Sequence, residues 1–193
     1  LIYLPVQTRP KPYVFPKLSE SAETSILKKL TADGTTLGRF LQKNSKNLIY
    51  YRIGGGRYWK IFTNFQPQFV LNGKADVSSR ENYLYLATPA VRDATIASLS
   101  SSLFYWFFIL TTNCRDLNPS DLNEYPINLD KLSKSNTDLL AGFCNQLMKD
   151  YQHNAQLKEK TSNLTGNIVY QEFYPRMSKP IINEIDSILA KHY

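Results

Sequence analysis

The stretch from Ala94 to Cys114, "ATIASLSSSLFYWFFILTTNC", carries no charged residue and limits the folds open to this chain more than any other feature. Such a segment must leave water, either for a bilayer or for a protein core. Its length matches a membrane span, but serines, threonines and Asn113 dilute it, and its densely apolar part runs only from Leu103 to Leu110. The pattern predicts a buried helical stretch that Pro89 opens, that reaches about Asn113 and that breaks near the serines. Phe104, Tyr105, Trp106, Phe107 and Phe108 then belong to the core, because consecutive side chains on a helix point all round it.

Around this stretch the other elements can be placed. Ser19 or Ser21 can cap a helix that runs to about Leu30 and ends at Gly34, and Leu37, Phe40 and Leu41 predict a second short helix. "LIYYRI" and "RYWKIF" both alternate as strands do, with Gly54 to Gly56 as their turn. Asn72-Gly73 is a second hairpin signal, between "QFVL" and the strand "NYLYLAT". Leu140, Phe143, Leu147 and Tyr151 form one stripe on a helix from about Thr137 to Leu157. "NIVYQEFYP" reads as a strand or extended arm. "KPIINEIDSILAKHY" reads as a last helix with Pro180 in its first turn and Ile181, Ile185, Ile188 and Leu189 on its buried side.

The fold class expected is α+β. A small, mainly antiparallel sheet from the segments between Asn47 and Thr88 is packed by the 90–113 helices, with a C-terminal helical part. The organisation follows as an extended linker or arm at 1–18, a mixed core at 19–130 and a helical part at 131–193. The length of 193 residues suits one domain with a full core, and 42% hydrophobic with 13% aromatic residues excludes a disordered tail. The N-terminus, "LIYLPVQTRPKPYVFPKL", has no initiator Met and no signal peptide, and reads as a cut from a longer polypeptide.

Three consecutive glycines in "YYRIGGGRYWKIF" invite a nucleotide-binding reading, which their context rejects. A dinucleotide fingerprint needs spaced glycines between a strand and a helix, so that phosphate meets the helix N-terminus. Here strand character follows, and no Gly-Lys-Ser/Thr occurs anywhere in the chain. Glycines flanked by Arg52, Arg57 and Lys60 instead permit close backbone approach to a groove, with cations at the tip. A plain turn with solvated charges is the alternative.

The net charge of +7 and pI near 9.3 favour a polyanionic partner, although the same excess on a solvated surface needs none. Cys114 and Cys144 have no CxxC spacing and only His153 and His192 for company, which argues against zinc and for reduced thiols in the cytoplasm. No GxSxG, HExxH or paired carboxylate at metal spacing marks an enzyme. "NPSDL" at 118–122 superficially resembles the Asn-Pro-Pro-aromatic motif of adenine-N6 methyltransferases but lacks its second proline and its aromatic. It reads as a helix start, with Ser120 or Asp121 as cap and Pro119 fixing the approach.

The succession "SSRENYLYL", "SSLFYWFFILTTNCRDLNPSDLNEYPI" and "EFYPRMSKPIINEIDSILAKHY" resembles the C-terminal region of bacterial adenine-specific DNA methyltransferases of restriction-modification systems. It is similar to the specificity domain of the Taq-type methylases over most of the chain from about Leu37, most distinctively from Ser101 to Pro126. The resemblance implies a target recognition domain that reads double-stranded DNA. It also implies an upstream methylase domain of the same polypeptide, with or without a nuclease, that binds S-adenosylmethionine; no cofactor is expected in this chain.

A domain of that kind holds phosphates and reads bases with Arg, Lys, Asn or Gln. The candidates are Arg52, Arg57, Lys60, Asn72, Lys74, Ser78, Ser79, Arg80, Asn113 and Arg115, and for Arg115 a local ion pair and helix-end cap is the competing reading. Beside a DNA-reading module stand two other classes: an enzyme in its own right, for which no acid, base or nucleophile constellation is visible, and a protein-interaction or scaffold domain whose charge is incidental. Salt-dependent binding to random duplex separates the first from the last.

Overall fold

The computed structural model describes residues 16–54 and 59–193. The chain is α+β, with two antiparallel sheets and helices packed against them. Helix α1 (Ser21–Thr31) is followed by a 3-10 turn at Leu37–Phe40. Its N-cap is Glu20 rather than Ser19 or Ser21, because Glu20 and Glu23 form a reciprocal capping box. At its end Gly34 takes φ 72°, and its N–H returns to the Thr31 carbonyl.

The first sheet has the order β2-β1-β5, with β1 Asn47–Arg52, β2 Phe62–Thr63 and β5 Glu81–Leu86. Alternation holds as expected: β1 buries Ile49 and Tyr51, and β5 buries Leu84 and Leu86. Within the described part of "RYWKIF", residues 59–62, the expected strand is reduced to its last residue. Pairing begins only at Phe62, opposite Tyr51, while Trp59 and Lys60 lie outside any strand and face the helices. Two anchors hold the residues before β2: Trp59 packs on Tyr105 with centroids 4.9 Å apart, and Lys60 is buried. Both remove their residues from a ladder.

The uncharged stretch folds as α2 (Pro89–Leu99) and α3 (Ser102–Thr111), bent by 64° at the serines. Ser101 makes the second start by accepting the Phe104 N–H at 3.0 Å. Thr95, Ser98, Thr111 and Thr112 each donate their hydroxyl to the carbonyl four residues earlier, so these polar side chains can sit in or against the core. Among the described residues no single helix is long and apolar enough to cross a membrane. Phe104, Phe107 and Phe108 are buried: Phe104 edges onto Phe62 and Tyr125, Phe107 onto Tyr125, and Phe108 stacks on Phe104, while Tyr105 and Trp106 are half-buried.

Helix α4 (Pro119–Asn123) is capped by Asn118, with Asp121 completing the box from its third position, so neither Ser120 nor Asp121 is the cap itself. Helix α5 (Lys134–Asn154) buries Leu140, Leu147 and Tyr151 against α2, leaving Phe143 half-buried. It stops before Leu157, which lies in a strand. In helix α6 (Lys179–His192) the fully buried row is Ile182, Ile185 and Leu189, with Ile181 and Ile188 at its margins.

The largest departure from expectation is a second sheet, ordered β4-β3-β7-β6, from β3 Phe69–Leu71, β4 Lys74–Ala75, β6 Gln156–Ser162 and β7 Gly166–Glu172. Asn72-Gly73 does turn a hairpin, with φ of 50° and 79°, but its second strand is β4, and "NYLYL" pairs with β1 in the other sheet. The 131–193 part is therefore not purely helical. Its β6–β7 hairpin joins a hairpin from the 19–130 part, and no residue of these four strands is buried.

Candidate nucleic-acid interface

Several of the cations singled out in the sequence converge at one end of the first sheet. Arg52 ends β1 and pairs in register with Glu81 of β5. Arg80, immediately before β5, accepts the Ile53 N–H at its carbonyl at 2.9 Å, and the Ile53 carbonyl accepts the Leu117 N–H at 2.7 Å. These two bonds bring the turn after α3 against the end of β1. Gly54 lies between them, buried: a Cβ there would meet Asp116 Oδ1, with Arg80 Nη1 3.1 Å away. The glycine thus serves close approach of side chains within the protein.

The 113–116 turn is built by Asn113, whose Oδ1 accepts the N–H groups of Arg115 at 2.9 Å and Asp116 at 3.2 Å. Cys114 between them takes φ 63°. This geometry leaves the Arg115 side chain 86% exposed, with its Nε 4.0 Å from Asp116. Of the local ion pair and helix-end cap read from the sequence, the ion pair is present, whereas α3 ends at Thr112 as its C-cap, and the guanidinium stays open to solvent. Asn113 is exposed, but its amide oxygen is already engaged.

Lys60 differs from expectation. It is only 8% exposed, donates from Nζ to the Arg115 carbonyl at 2.9 Å and lies 5.1 Å from the Phe108 ring centroid. Burial lowers its pKa, and Asp116 and Cys114 oppose that shift. Its charged head therefore lies inside the protein, as a strut beneath the Arg115 turn.

Arg52 and Arg80 are both exposed. Partial desolvation, and next the like charge of Arg80, lower the pKa of Arg52, while Tyr170 and Glu81 raise it. Burial raises the pKa of Glu81, whose Oε1 accepts from Gln66 Nε2 at 3.2 Å. Among the described residues, neither Arg52 nor Arg80 has a carboxylate within ion-pair distance. Glu81 and Asp116 lie nearby without pairing to them, so the two crowded guanidiniums keep donors free for an added anion. Ser78 and Ser79 adjoin them: the Ser78 carbonyl accepts from Glu81 N at 2.9 Å, and Ser79 is exposed. Arg57 lies outside the described residues.

Asn72 and Lys74 sit apart from this cluster, on the second sheet. Asn72 Oδ1 accepts the Asn167 N–H at 2.8 Å, and Asn72 N–H donates to the Asn167 carbonyl at the same distance, so this amide clips two hairpins together. A Cβ on Gly166 would overlap the Asn72 amide, and at φ 78° that position favours glycine in any case. Lys74 is exposed.

Asp116 at Gly54 and Tyr170, which acts on Arg52 electrostatically, were not among the sequence candidates. Only the tertiary fold brings them to these places, since no local pattern links residue 170 to residue 52. Among the described residues no group of His, Cys, Asp or Glu is arranged to hold a metal ion. No protein-family model matches the sequence, and no curated protein or solved structure is detectably similar to it.

Proposed function

We propose that this chain is a DNA-binding target recognition domain, working in the bacterial cytoplasm for an adenine-N6 methyltransferase that is part of the same polypeptide and carries S-adenosylmethionine. The observation that supports this reading best is the convergence of Arg52, Arg80 and Arg115 around Gly54. Three exposed arginines on fixed backbone suit bidentate contacts to guanine edges or phosphates. Sequence resemblance and a charge of +7 supply the rest of the argument. Two free cysteines suit a reducing compartment.

The test is anisotropy of a labelled random duplex titrated with the chain at several salt concentrations. Binding whose affinity falls steeply with salt, by about 0.9 log units per log unit of salt for each phosphate neutralised, is expected. Absence of binding at low salt refutes the proposal.

A protein-interaction domain is the second reading, and one feature favours it. A shallow groove on α5, lined by Leu139, Gly142, Phe143 and Gln146, leaves apolar surface uncovered.

A further inference from the structure

The register of the second sheet sorts its side chains onto two unlike faces. Directly paired residues of antiparallel strands point to the same side. One row across all four strands reads Lys160, Ile168, Leu71, Lys74, and the adjacent row reads Lys158, Tyr170, Phe69. Every lysine of the four strands is therefore on one face, around a centre of aromatic and aliphatic side chains, with Gln156 and Glu172 at its margin and Lys158 Nζ donating to Gln156 Oε1 at 2.9 Å.

The opposite face carries Leu157, Glu159, Thr161, Asn167, Val169, Gln171, Val70 and Ala75 by the same register. It holds no cation. Glu159 Oε1 there accepts from Asn167 Nδ2 at 2.6 Å.

Antiparallel sheets ordinarily cover one face with a core. Here no strand residue is buried, so the basic face is not used up by packing. Lys74 and Lys160, on the two outer strands, stand about 14 Å apart across three strand spacings. This sheet lies near the arginine cluster: Phe69, opposite Tyr170, follows Gln66 by three residues, and Gln66 Nε2 donates at 3.2 Å to Glu81, the register partner of Arg52.

We infer that this lysine face is a second DNA-contacting arm, which takes the sugar-phosphate backbone of the duplex beside the segment met by Arg52, Arg80 and Arg115. The inference rests on the DNA-binding reading above and adds the surface that supplies sequence-independent affinity. Lysines on flexible stems suit phosphates as point charges, whereas the clustered arginines suit directional contacts. Tyr170 and Phe69 offer flat apolar surface to the sugars between the phosphates.

The experiment compares two double variants of equal net charge, Lys158→Ala/Lys160→Ala on this face and Lys28→Ala/Lys29→Ala on the exposed side of α1. Duplex affinity is measured against salt, and urea unfolding confirms that both retain the fold. The sheet variant is expected to flatten the log–log salt slope by about two units, at roughly 0.9 per phosphate, and the α1 variant to leave it unchanged. Equal flattening by both would assign the effect to net charge and overturn the inference. Wild-type behaviour of the sheet variant, with the parent chain still binding duplex, would overturn it while leaving the DNA-binding reading intact. A parent chain that binds no duplex would overturn both.

Discussion

The Lys60 ammonium donates to the Arg115 carbonyl at 2.9 Å beneath the turn that exposes the Arg115 guanidinium. One cation is thus spent inside the protein to position another outside it. Lys60→Met keeps the apolar stem and removes the donor, leaving a carbonyl without its partner. It should cost about 1–3 kcal/mol of stability by urea unfolding. Duplex affinity should drop only in proportion to disorder of the turn, with the salt slope unchanged. A slope reduced by one unit at unchanged stability would show that Lys60 reaches phosphate after all.

A side chain at Gly54 is expected to displace the Asp116 carboxylate, because a Cβ would overlap Asp116 Oδ1. Gly54→Ala should lose roughly 1–3 kcal/mol through overpacking. The double variant Gly54→Ala/Asp116→Ala should recover part of that loss, since the obstructing carboxylate is gone. Strict additivity in the double-mutant cycle would refute the contact.

Glu23 ties the start of α1 to α3, accepting from Ser19 N at 2.7 Å, Ser19 Oγ at 2.8 Å and Trp106 Nε1 at 3.3 Å. The hydrogen bonds from Ser19, then Trp106, hold its pKa down at about 2, against 4.5 for the free side chain. A carboxylate whose folded pKa is depressed contributes stability above its unfolded pKa and loses it as pH falls through the folded one. Urea midpoints should therefore decline between about pH 4.5 and 2 partly because of Glu23. Glu23→Gln should flatten that limb; an unchanged acid limb would remove the linkage.

The two thiols should behave differently. Cys144 is buried at the α2–α5 contact, and burial pushes its thiol pKa well up. Cys114 is half-buried on the exposed turn, with Lys17 Nζ 3.6 Å from its sulfur. In unreduced native protein a thiol reagent should modify Cys114 slowly and Cys144 only on unfolding. Fewer than two thiols in denaturant would mean a disulfide and contradict the structure.

What the sequence disclosed was local. The uncharged stretch, its break at the serines, the alternation of "LIYYRI" and the Asn72-Gly73 turn are each set by neighbours in the chain, and each is found. Pairing partners were not legible. Nothing near Asn72 says that its amide will clip Asn167, and nothing in "QLKEKTS" says that this run leaves α5 to become a strand beside β7. Helix α5 ends three residues before the expected Leu157, because its apolar stripe stops at Tyr151 and the backbone turns extended at Ala155. For the candidate site, residue types were readable but exposure was not. Lys60 and Arg115 look alike in sequence, and two contacts of Lys60, with the Phe108 ring and the Arg115 carbonyl, separate them.

The roles of the exposed arginines can be told apart by the kind of loss each causes. Arg52→Ala, Arg80→Ala and Arg115→Ala should all leave urea unfolding nearly unchanged, since these side chains are exposed. An arginine that reads a guanine edge should cost about 1–3 kcal/mol on the preferred sequence and relax discrimination at one base pair. One that holds a phosphate should weaken all duplexes alike and flatten the salt slope by about one unit. Arg52 and Arg80 crowd each other, which is reflected in the lowered pKa of Arg52. Removing either relieves the other, so their double variant should lose more affinity than the two single losses added, whereas Arg115 should add independently. If the triple variant keeps parental affinity, slope and discrimination, the arginine cluster does not face DNA, and the proposed function loses its main support.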